Sequence, residues 1–382
     1  MSSRESRPRV LAFADVRGSL VAACRVAAPL RALLDARLIA GYTIADATLR
    51  HVPRSGTFDV VWLQRAADAW LARALAQRLE GGFLLDLDDH LLCRPAYLDA
   101  ADLPDSKALK SALVSCSVLT TPSARLRTLV EQRSGLALGG RAFVCPNAVP
   151  YGSVPLRPAE RPAAILLTQG HRLALMASRL DVLAAITEAA ARHHMPLWSI
   201  GDTPPVLRSA AAAAGARLEE LRPRSWSDYH AALAGSPSLV GVAPLETRGD
   251  AATVEFASGK SDIKMVEFGG YAHPGVYSDA APYADSDLSC GRLVANRHED
   301  WTAAVDDLMR GGWRAATEEA RAVRARREMA RVAKEQWWPA VRAARLHRPL
   351  EAGKLFGELE RLQAETRDRL ARIAWRLGRA PA

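Results

Sequence analysis

Short apolar runs alternate with amphipathic stretches over the first 150 residues of the chain. Runs of four or five apolar residues predict strands that are buried on both faces, and apolar residues at every third or fourth position predict helices. This alternation predicts an α/β fold with a parallel sheet. The predicted strands are residues 10–13, 38–42, 59–63, 83–87, 117–121 and 142–145, with helices between them that include residues 20–35 and 66–79.

The alternation restarts after a segment rich in Pro, Gly and Ser at residues 146–155, which predicts an interdomain linker. From residue 301 the pattern is helical to the end, with interruptions at Pro339 and Pro349. We therefore expect one domain over residues 1–155, a second over 156–340 and a helical tail over 341–382. The second domain's predicted strands are residues 164–167, 197–200, 239–243 and 275–277, and its predicted helices are residues 179–192, 206–214, 226–233 and 261–271.

Composition narrows the class of protein. With 49% hydrophobic and 24% charged residues, the body of the chain is an ordinary globular protein, which excludes disordered, collagen-like and coiled-coil classes. The net charge is +9, but residues 311–382 hold 17 Lys and Arg against 9 Asp and Glu. Because the positive charge is confined to residues 311–382, we expect no nucleic-acid partner. Five cysteines without a CxxC motif, and no apolar leader, predict a reduced cytoplasmic protein.

Residues 254–278, VEFASGKSDIKMVEFGGYAHPGVYS, contain the clearest candidate site. Ser261 is a good N-cap residue, so we expect a helix to begin there and to present backbone N–H groups to an anion. Lys260 and Lys264 add two positive charges, which suits a diphosphate. Glu267 falls on the same helical face, where its carboxylate can accept hydrogen bonds from the vicinal hydroxyls of a ribose. The alternative is a surface helix with Lys/Glu pairing.

This segment, together with Ala281-Pro282-Tyr283, resembles the donor-site signature of GT-B glycosyltransferases of family 4, the group 1 glycosyl transferases. The family variant reads F-N-x-x-K-S-x-x-K-x-x-E, then an aromatic-Gly-Pro strand and a Ser followed by Pro-Tyr. Matching positions are Phe256, Lys260, Ser261, Lys264, Glu267, Pro274, Ser278, Pro282 and Tyr283. Weaker matches at Arg25, Pro29, Leu30 and residues 59–65, 85–89, 121–123 and 144–149 extend the resemblance over residues 8–310.

The resemblance implies a GT-B fold, in which two Rossmann-like domains with parallel sheets face a cleft and the C-terminal helices cross back onto the first domain. It also implies a nucleotide-sugar donor held by the second domain. Glu267 then corresponds to the second acid of the family's E-x7-E element and binds the donor ribose, while Lys260, Ser261 and Lys264 face the diphosphate. Gly259 stands in place of the first acid, so the usual contact to the donor hexose is missing.

The loop after the second domain's first strand is a further departure. Family members carry a glycine-rich loop there and a basic residue that reaches the phosphates. Gly170 and Arg172 occupy this place in the sequence, and we expect both to contact the donor diphosphate.

An acidic run, Asp86-Leu87-Asp88-Asp89-His90, follows a predicted strand of the first domain. In a GT-B enzyme, Asp88, Asp89 or His90 would face the acceptor and orient or deprotonate its hydroxyl, and we name these three as catalytic candidates. Two other interpretations remain open: the D-x-D motif of metal-dependent GT-A transferases, and the nucleophile of haloacid-dehalogenase phosphatases.

The function implied by the resemblance is transfer of a hexose-type sugar from a nucleotide diphosphate sugar to an acceptor hydroxyl, with retention and without a metal or cofactor. Surface polysaccharide or glycolipid assembly is the usual setting of such enzymes, so the expected acceptor is a carbohydrate, a glycolipid or another hydroxyl compound. Gly259 motivates a second hypothesis, a non-catalytic nucleotide-sugar binding or scaffold protein.

The basic tail has a stripe of apolar residues that would pack back on the first domain. An opposite face with Arg361, Arg372, Trp375 and Arg379 predicts peripheral contact with anionic lipid at the inner membrane face, or a solvated helix. The stripe consists of Leu355, Leu359, Leu362, Leu370, Ile373 and Leu377.

Overall fold

The computed structural model describes residues 7–14, 20–45, 58–65, 82–95, 98, 106–168, 180–201 and 203–346. Three of the predictions above lie outside these residues: the helix at 66–79, the contacts of Gly170 and Arg172, and the packing of the tail beyond residue 346. Among the described residues, no helix has the length and apolar character needed to cross a membrane.

Six parallel strands form the first sheet, in the order β2-β1-β3-β4-β5-β6. The central strands are buried on both faces, as their unbroken apolar runs predict. The predicted strand at 38–42 starts too early, because the Leu38 N–H donates to the Leu33 carbonyl and so belongs to the end of the preceding helix. The strands are β1 Arg9–Phe13, β2 Gly41–Ala45, β3 Val60–Gln64, β4 Gly82–Asp86, β5 Val118–Thr121 and β6 Ala142–Val144.

Three helices connect strands of this sheet within the described residues. The first, α1, contains a π-helical stretch, Ala23–Ala27, between Leu20–Ala22 and Ala28–Asp35. The others are α2 Ser106–Ser115 and α3 Ala124–Ser134. Ser123 caps α3 by accepting a hydrogen bond from the Leu126 N–H, and Gly135 ends it at φ +74°, a conformation that glycine adopts readily.

The second domain is also built on six parallel strands, in the order β12-β11-β10-β7-β8-β9. The strand order reverses between β7 and β10, and ligands of doubly wound folds bind at the carboxyl ends of the strands beside such a reversal. The edge strands β9 and β12 were not predicted, because LEEL and RLV lack an apolar run. The strands are β7 Ala164–Thr168, β8 Leu197–Ile200, β9 Leu218–Leu221, β10 Leu239–Ala243, β11 Gly275–Ser278 and β12 Arg292–Val294.

Helices cover both faces of the second sheet, and two of them, α7 and the short α9, were not predicted. Asp250 caps α7 by accepting a hydrogen bond from the Thr253 N–H at 3.0 Å. The helices are α4 Leu180–Arg192, α5 Pro205–Ala214, α6 Trp226–Gly235, α7 Ala251–Ser258, α8 Ile263–Gly270, α9 Ala281–Ala284, α10 His298–Arg310 and α11 Ala316–Arg327.

Within the described residues the chain crosses between the domains twice, and the two crossings are bonded to each other. Val149 on the outward crossing donates to the Arg327 carbonyl at 3.0 Å and accepts from the Met329 N–H at 3.1 Å. Helix α12, at the end of the described part of the chain, then runs through Met329–Val332, a π-helical stretch Ala333–Trp337, and Trp338–Leu346. It packs in the core of the first sheet, so the chain returns to the first domain at Met329 and not at the predicted boundary of residue 341.

Candidate active site

The connection between α7 and α8 carries the residues of the sequence signature, but Ser261 does not cap a helix. Helix α8 begins at Ile263, and its N-cap residue is Asp262, which makes no side-chain capping bond. The Ser261 hydroxyl instead accepts a hydrogen bond from Asn147 of the interdomain linker at 2.7 Å. The Asp262 carboxylate is held by the Ser286 hydroxyl and the Arg327 guanidinium. The predicted capping role of Ser261 is therefore wrong.

Glu267 lies in a polar cluster with Tyr229, which neighbours Thr168 at the end of β7. Its Oε2 accepts from the Tyr229 hydroxyl at 2.8 Å and from Lys264 Nζ at 2.7 Å. Nε2 of His230 lies 4.0 Å from Oε1. Burial, and then the Glu267 charge, hold the pKa of Tyr229 well above its usual range, so the phenol stays protonated and donates. Burial lowers the pKa of His230 to about 4, which leaves the imidazole neutral.

Lys260 connects the two domains. Its ammonium lies 3.2 Å from Asp89 Oδ1 and 4.8 Å above the centre of the Phe256 ring. Lys260 and Asp89 are both only partly exposed. A predicted phosphate-binding residue therefore faces a predicted acceptor-side residue directly, and the cleft is closed at this point.

The three catalytic candidates lie in different environments. Asp88 is buried, and its carboxylate accepts from both Nε and Nη2 of Arg65 at 2.9 Å, and from Gln64. Asp89 bonds Arg65 and Lys260. His90 is wholly buried, and its Nε2 lies 2.8 Å from Oε1 of Glu255 on α7. Among the three, only Asp89 keeps part of its side chain in contact with solvent beside a predicted donor residue.

Electrostatics distinguish His90 from its partner Glu255. Burial lowers the pKa of His90, so the ring is neutral at neutral pH. Glu255 also accepts from Arg133 Nε on α3 at 2.7 Å, and chiefly this bond lowers the pKa of Glu255 to about 2. Sequence reasoning missed Glu255 and Arg133, although Glu255 stands one helical turn before Gly259 and so shares its face.

Gly259 lies against the first domain. A Cβ at this position would come within 2.8 Å of His90 Cβ and 3.3 Å of a Leu126 methyl. The residue in place of the family's first acid is thus a glycine that allows α7 to approach the loop after β4. An acidic side chain has no room there in this arrangement.

Asp86, the first acid of the D-x-D run, is part of the core. It is wholly buried and accepts from Arg25 at 2.5 and 3.1 Å and from the Thr120 hydroxyl at 2.8 Å. The Arg25 guanidinium lies 4.6 Å above the Trp337 ring. A carboxylate held in this way reaches neither a metal ion nor a substrate, so the D-x-D transferase and phosphatase interpretations have no support.

A cavity of about 1000 Å³ lies between the domains, and Asp262 is one of the residues that line it. Its lining includes Ser123 and Arg125 of the first domain and Ser286, Arg326 and Arg327 of the second. Lys260, Lys264 and Glu267 do not line it. The predicted donor residues therefore lie outside this cavity, and Lys260 instead contacts Asp89 of the first domain.

The chain was compared with known proteins. No protein-family model and no curated protein sequence matches it. Its structure is similar to that of HepE from Anabaena, solved in complex with UDP and glucose, with a TM-score of 0.61 and 11% identity over 86% of this chain and 98% of HepE. Sucrose-phosphate synthase from Thermosynechococcus elongatus gives a TM-score of 0.59 and 13% identity, over 86% and 97% of the two chains.

A variant of TarM from S. aureus, solved with UDP, Fondaparinux and alpha-GlcNAc-glycerol, has a TM-score of 0.51 and 11% identity. The match covers 74% of this chain and 55% of TarM. At these identities the likeness concerns the fold alone. The arrangement of two six-stranded parallel sheets with flanking helices matches these structures, and the predicted GT-B fold is confirmed.

Proposed function

We propose that this protein is a glycosyltransferase that moves a hexose-type sugar from a nucleotide diphosphate sugar, with UDP as the carrier, to an acceptor hydroxyl with retention. The observation that carries the proposal is the buried Glu267–Lys264–Tyr229 cluster beside the strand-order reversal, with Lys260 nearby. Its position in the fold is where nucleotides bind in doubly wound domains. HepE, of the same fold, was solved with UDP and glucose.

In this proposal each residue of the cluster has a separate role. Glu267 accepts hydrogen bonds from the ribose hydroxyls, and Tyr229 fixes the orientation of the carboxylate. Lys264 and Lys260 face the diphosphate and stabilise the charge that develops on the leaving group. Asp89 faces the acceptor, because it is the partly exposed acid opposite Lys260. The transfer step itself needs positioning and charge stabilisation from these residues and no metal.

The proposal extends to the biological setting of the reaction. Surface polysaccharide or glycolipid assembly at the cytoplasmic face of a membrane suits a carbohydrate or lipid-linked acceptor. Residues 347–382 of the basic tail, which lie outside the described residues, would then contact anionic lipid. Removal of residues 353–382 should abolish cosedimentation of the protein with anionic vesicles; unchanged cosedimentation would contradict the lipid contact.

Calorimetry with UDP tests the donor site. Glu267→Gln should weaken UDP binding at least ~10-fold, because hydrogen bonds to charged groups contribute about 1.5–3 kcal/mol. The same substitution should have much less effect on 2′,3′-dideoxy-UDP, which lacks the hydroxyls. Glu220→Gln, at a surface carboxylate on β9, is the matched control. Equal losses for both ligands would contradict ribose recognition by Glu267.

A donor panel tests the reaction. Release of free nucleoside diphosphate from UDP-, GDP- and dTDP-sugars should occur with UDP-sugars and should fall when Lys264 is replaced by Ala. Tight UDP binding without turnover of any donor would favour the scaffold hypothesis, which the closed contact at Gly259 and Lys260 supports. Failure to bind any of the three nucleotides would overturn the proposed function.

A further inference from the structure

A second cluster of reactive side chains lies where the domains touch, apart from the proposed donor residues. His90 and Cys93 come from the loop after β4 in the first domain, and Glu255 comes from α7 in the second. One imidazole nitrogen, the Cys93 sulfur and one Glu255 oxygen all lie within 4.8 Å of one another. His90 and Cys93 are buried, and Glu255 is mostly covered.

The ligand types and their spacing suit a zinc ion. Histidine nitrogen, cysteine sulfur and carboxylate oxygen are the three donors that Zn²⁺ uses in proteins. His90 and Cys93 lie on one turn, because the Cys93 N–H donates to the His90 carbonyl at 2.9 Å. The cysteines are widely spaced and form no CxxC motif, so the His-x-x-Cys pair is easily overlooked in the sequence.

The two ring nitrogens of the wholly buried His90 differ in their surroundings. Nε2 lies 2.8 Å from Glu255 Oε1, whereas Nδ1 has no hydrogen-bond partner among the residues that the structure describes. Nε2 is therefore the nitrogen placed to share a metal ion with the Glu255 carboxylate, and the proton of the neutral ring then lies on Nδ1.

We propose that His90, Cys93 and Glu255 bind one Zn²⁺ ion, with water in the fourth position. The ion would link α7 of the second domain to the loop after β4 of the first. On binding, the Cys93 thiol loses its proton to solvent and its thiolate coordinates the metal. The charges of Zn²⁺, one thiolate and one carboxylate then cancel. The fourth position leaves the site open to exchange.

The required movement is small. Ligand nitrogen and oxygen atoms around one tetrahedral zinc, each at about 2.0–2.1 Å from the metal, lie roughly 3.3 Å apart. His90 Nε2 and Glu255 Oε1 are now 2.8 Å apart and need to separate slightly. Cys93 Sγ, which contacts the Ala252 carbonyl at 3.2 Å, turns toward them. Arg133 is half exposed; its Nε, which bonds Oε1 at 2.7 Å, must release this oxygen, while its Nη2 stays bonded to Oε2.

Cobalt titration of the full-length, tag-free chain tests the site. After removal of metal by a chelator, Co²⁺ should give a near-ultraviolet thiolate-to-cobalt charge-transfer band at one equivalent, and Zn²⁺ should bleach it. Cys93→Ser should remove the band, while Cys290→Ala, which alters a cysteine in the second domain's core, should keep it. Glu255→Gln should weaken binding by more than the roughly 10- to 100-fold that loss of a supporting group costs.

A second measurement does not depend on how the variants fold. Wild-type protein purified without chelator and dialysed against metal-free buffer should retain about one zinc per chain by elemental analysis, and added zinc should raise its thermal midpoint. If the wild type gives no charge-transfer band and no retained zinc, the cluster is an ordinary hydrogen-bonded contact and the proposal is overturned. A band that survives Cys93→Ser overturns the assignment of the ligands.

Discussion

At the scale of single residues, Lys260 is shared between two partners. In the structure it bonds Asp89 of the first domain, whereas the proposed function needs it on the donor diphosphate. Asp89→Asn should therefore strengthen UDP binding by up to roughly fivefold, because a partly exposed ion pair contributes about 0.2–1 kcal/mol. Calorimetry with UDP measures the change.

The matched control for this substitution keeps the Asp89 carboxylate and removes the ammonium. Lys260→Met should lose the affinity for UDP, and Asp89→Asn in the Lys260→Met background should then have no further effect. Weaker UDP binding by the Asp89→Asn variant alone would show that Asp89 supports the donor and does not compete for Lys260.

Gly259 determines how closely the domains approach. In Gly259→Ala the new Cβ would lie 2.8 Å from His90 Cβ, inside the contact distance of real Cβ atoms, so either α7 or the loop after β4 must move. Overpacking of this kind costs about 1–3 kcal/mol. We expect a lower thermal midpoint and faster proteolysis across the interdomain linker. Gly140→Ala, in open space on the first domain, is the control; equal midpoints for the two variants would contradict close packing at Gly259.

At the scale of elements, the π-helical stretches of α1 and α12 contain Arg25 and Trp337. The Arg25 guanidinium stacks on the Trp337 ring and forms an ion pair with Asp86. The Arg25–Asp86 pair is wholly buried, and removal of one partner of such a pair costs about 3–5 kcal/mol because the other charge is left unpaired. Asp86→Asn should lower the free energy of unfolding by this amount in urea titrations.

A double replacement separates charge from packing at this pair. Arg25→Met with Asp86→Leu removes both charges and should recover most of the stability lost in Asp86→Asn, since apolar residues of similar volume often replace buried ion pairs without loss. A loss below about 1 kcal/mol for Asp86→Asn would show that the carboxylate is not held as the structure describes.

Prediction from the sequence worked best for elements with a local signal. The buried central strands were found because unbroken apolar runs such as AILLT and LVGVA, bounded by polar loops, are typical of strands covered on both faces. Edge strand β9, with LEEL, and helix α7 were missed because their local patterns are weak. The residue type of Ser261 predicts an N-cap, but its hydroxyl accepts a hydrogen bond from Asn147, which is 114 residues away in the sequence.

At the scale of the whole molecule, the parallel α/β class and the two-domain division followed from the sequence, while the contacts between domains did not. Lys260 with Asp89, and Glu255 with His90 and Arg133, are separated by 122 to 171 residues. No periodicity connects such positions, since the pairing depends on how two finished domains face each other. The sequence predicted several members of the candidate site but could not show that they lie in mutual contact.

Stability of the whole chain should fall as the pH drops from about 6.5 to 4. Burial lowers the pKa of His230 and His273 to about 4. In the unfolded chain these imidazoles bind protons below about pH 6.5, while the folded state binds them only at lower pH. Because the unfolded state then holds more protons, acid favours unfolding, with a slope approaching roughly 1.4 kcal/mol per pH unit for each histidine.

His273 offers the cleanest test of this dependence. Its Nδ1 accepts from the Leu239 N–H and its Nε2–H donates to the Leu233 carbonyl, so it is held as one neutral tautomer. His273→Gln should lower stability at pH 7 but flatten the decline between pH 6.5 and 4 by about one histidine's slope in urea titrations. His194→Asn, at an exposed histidine, should leave the slope unchanged. Parallel curves for wild type and His273→Gln would show that the buried imidazole is not the source of the pH dependence.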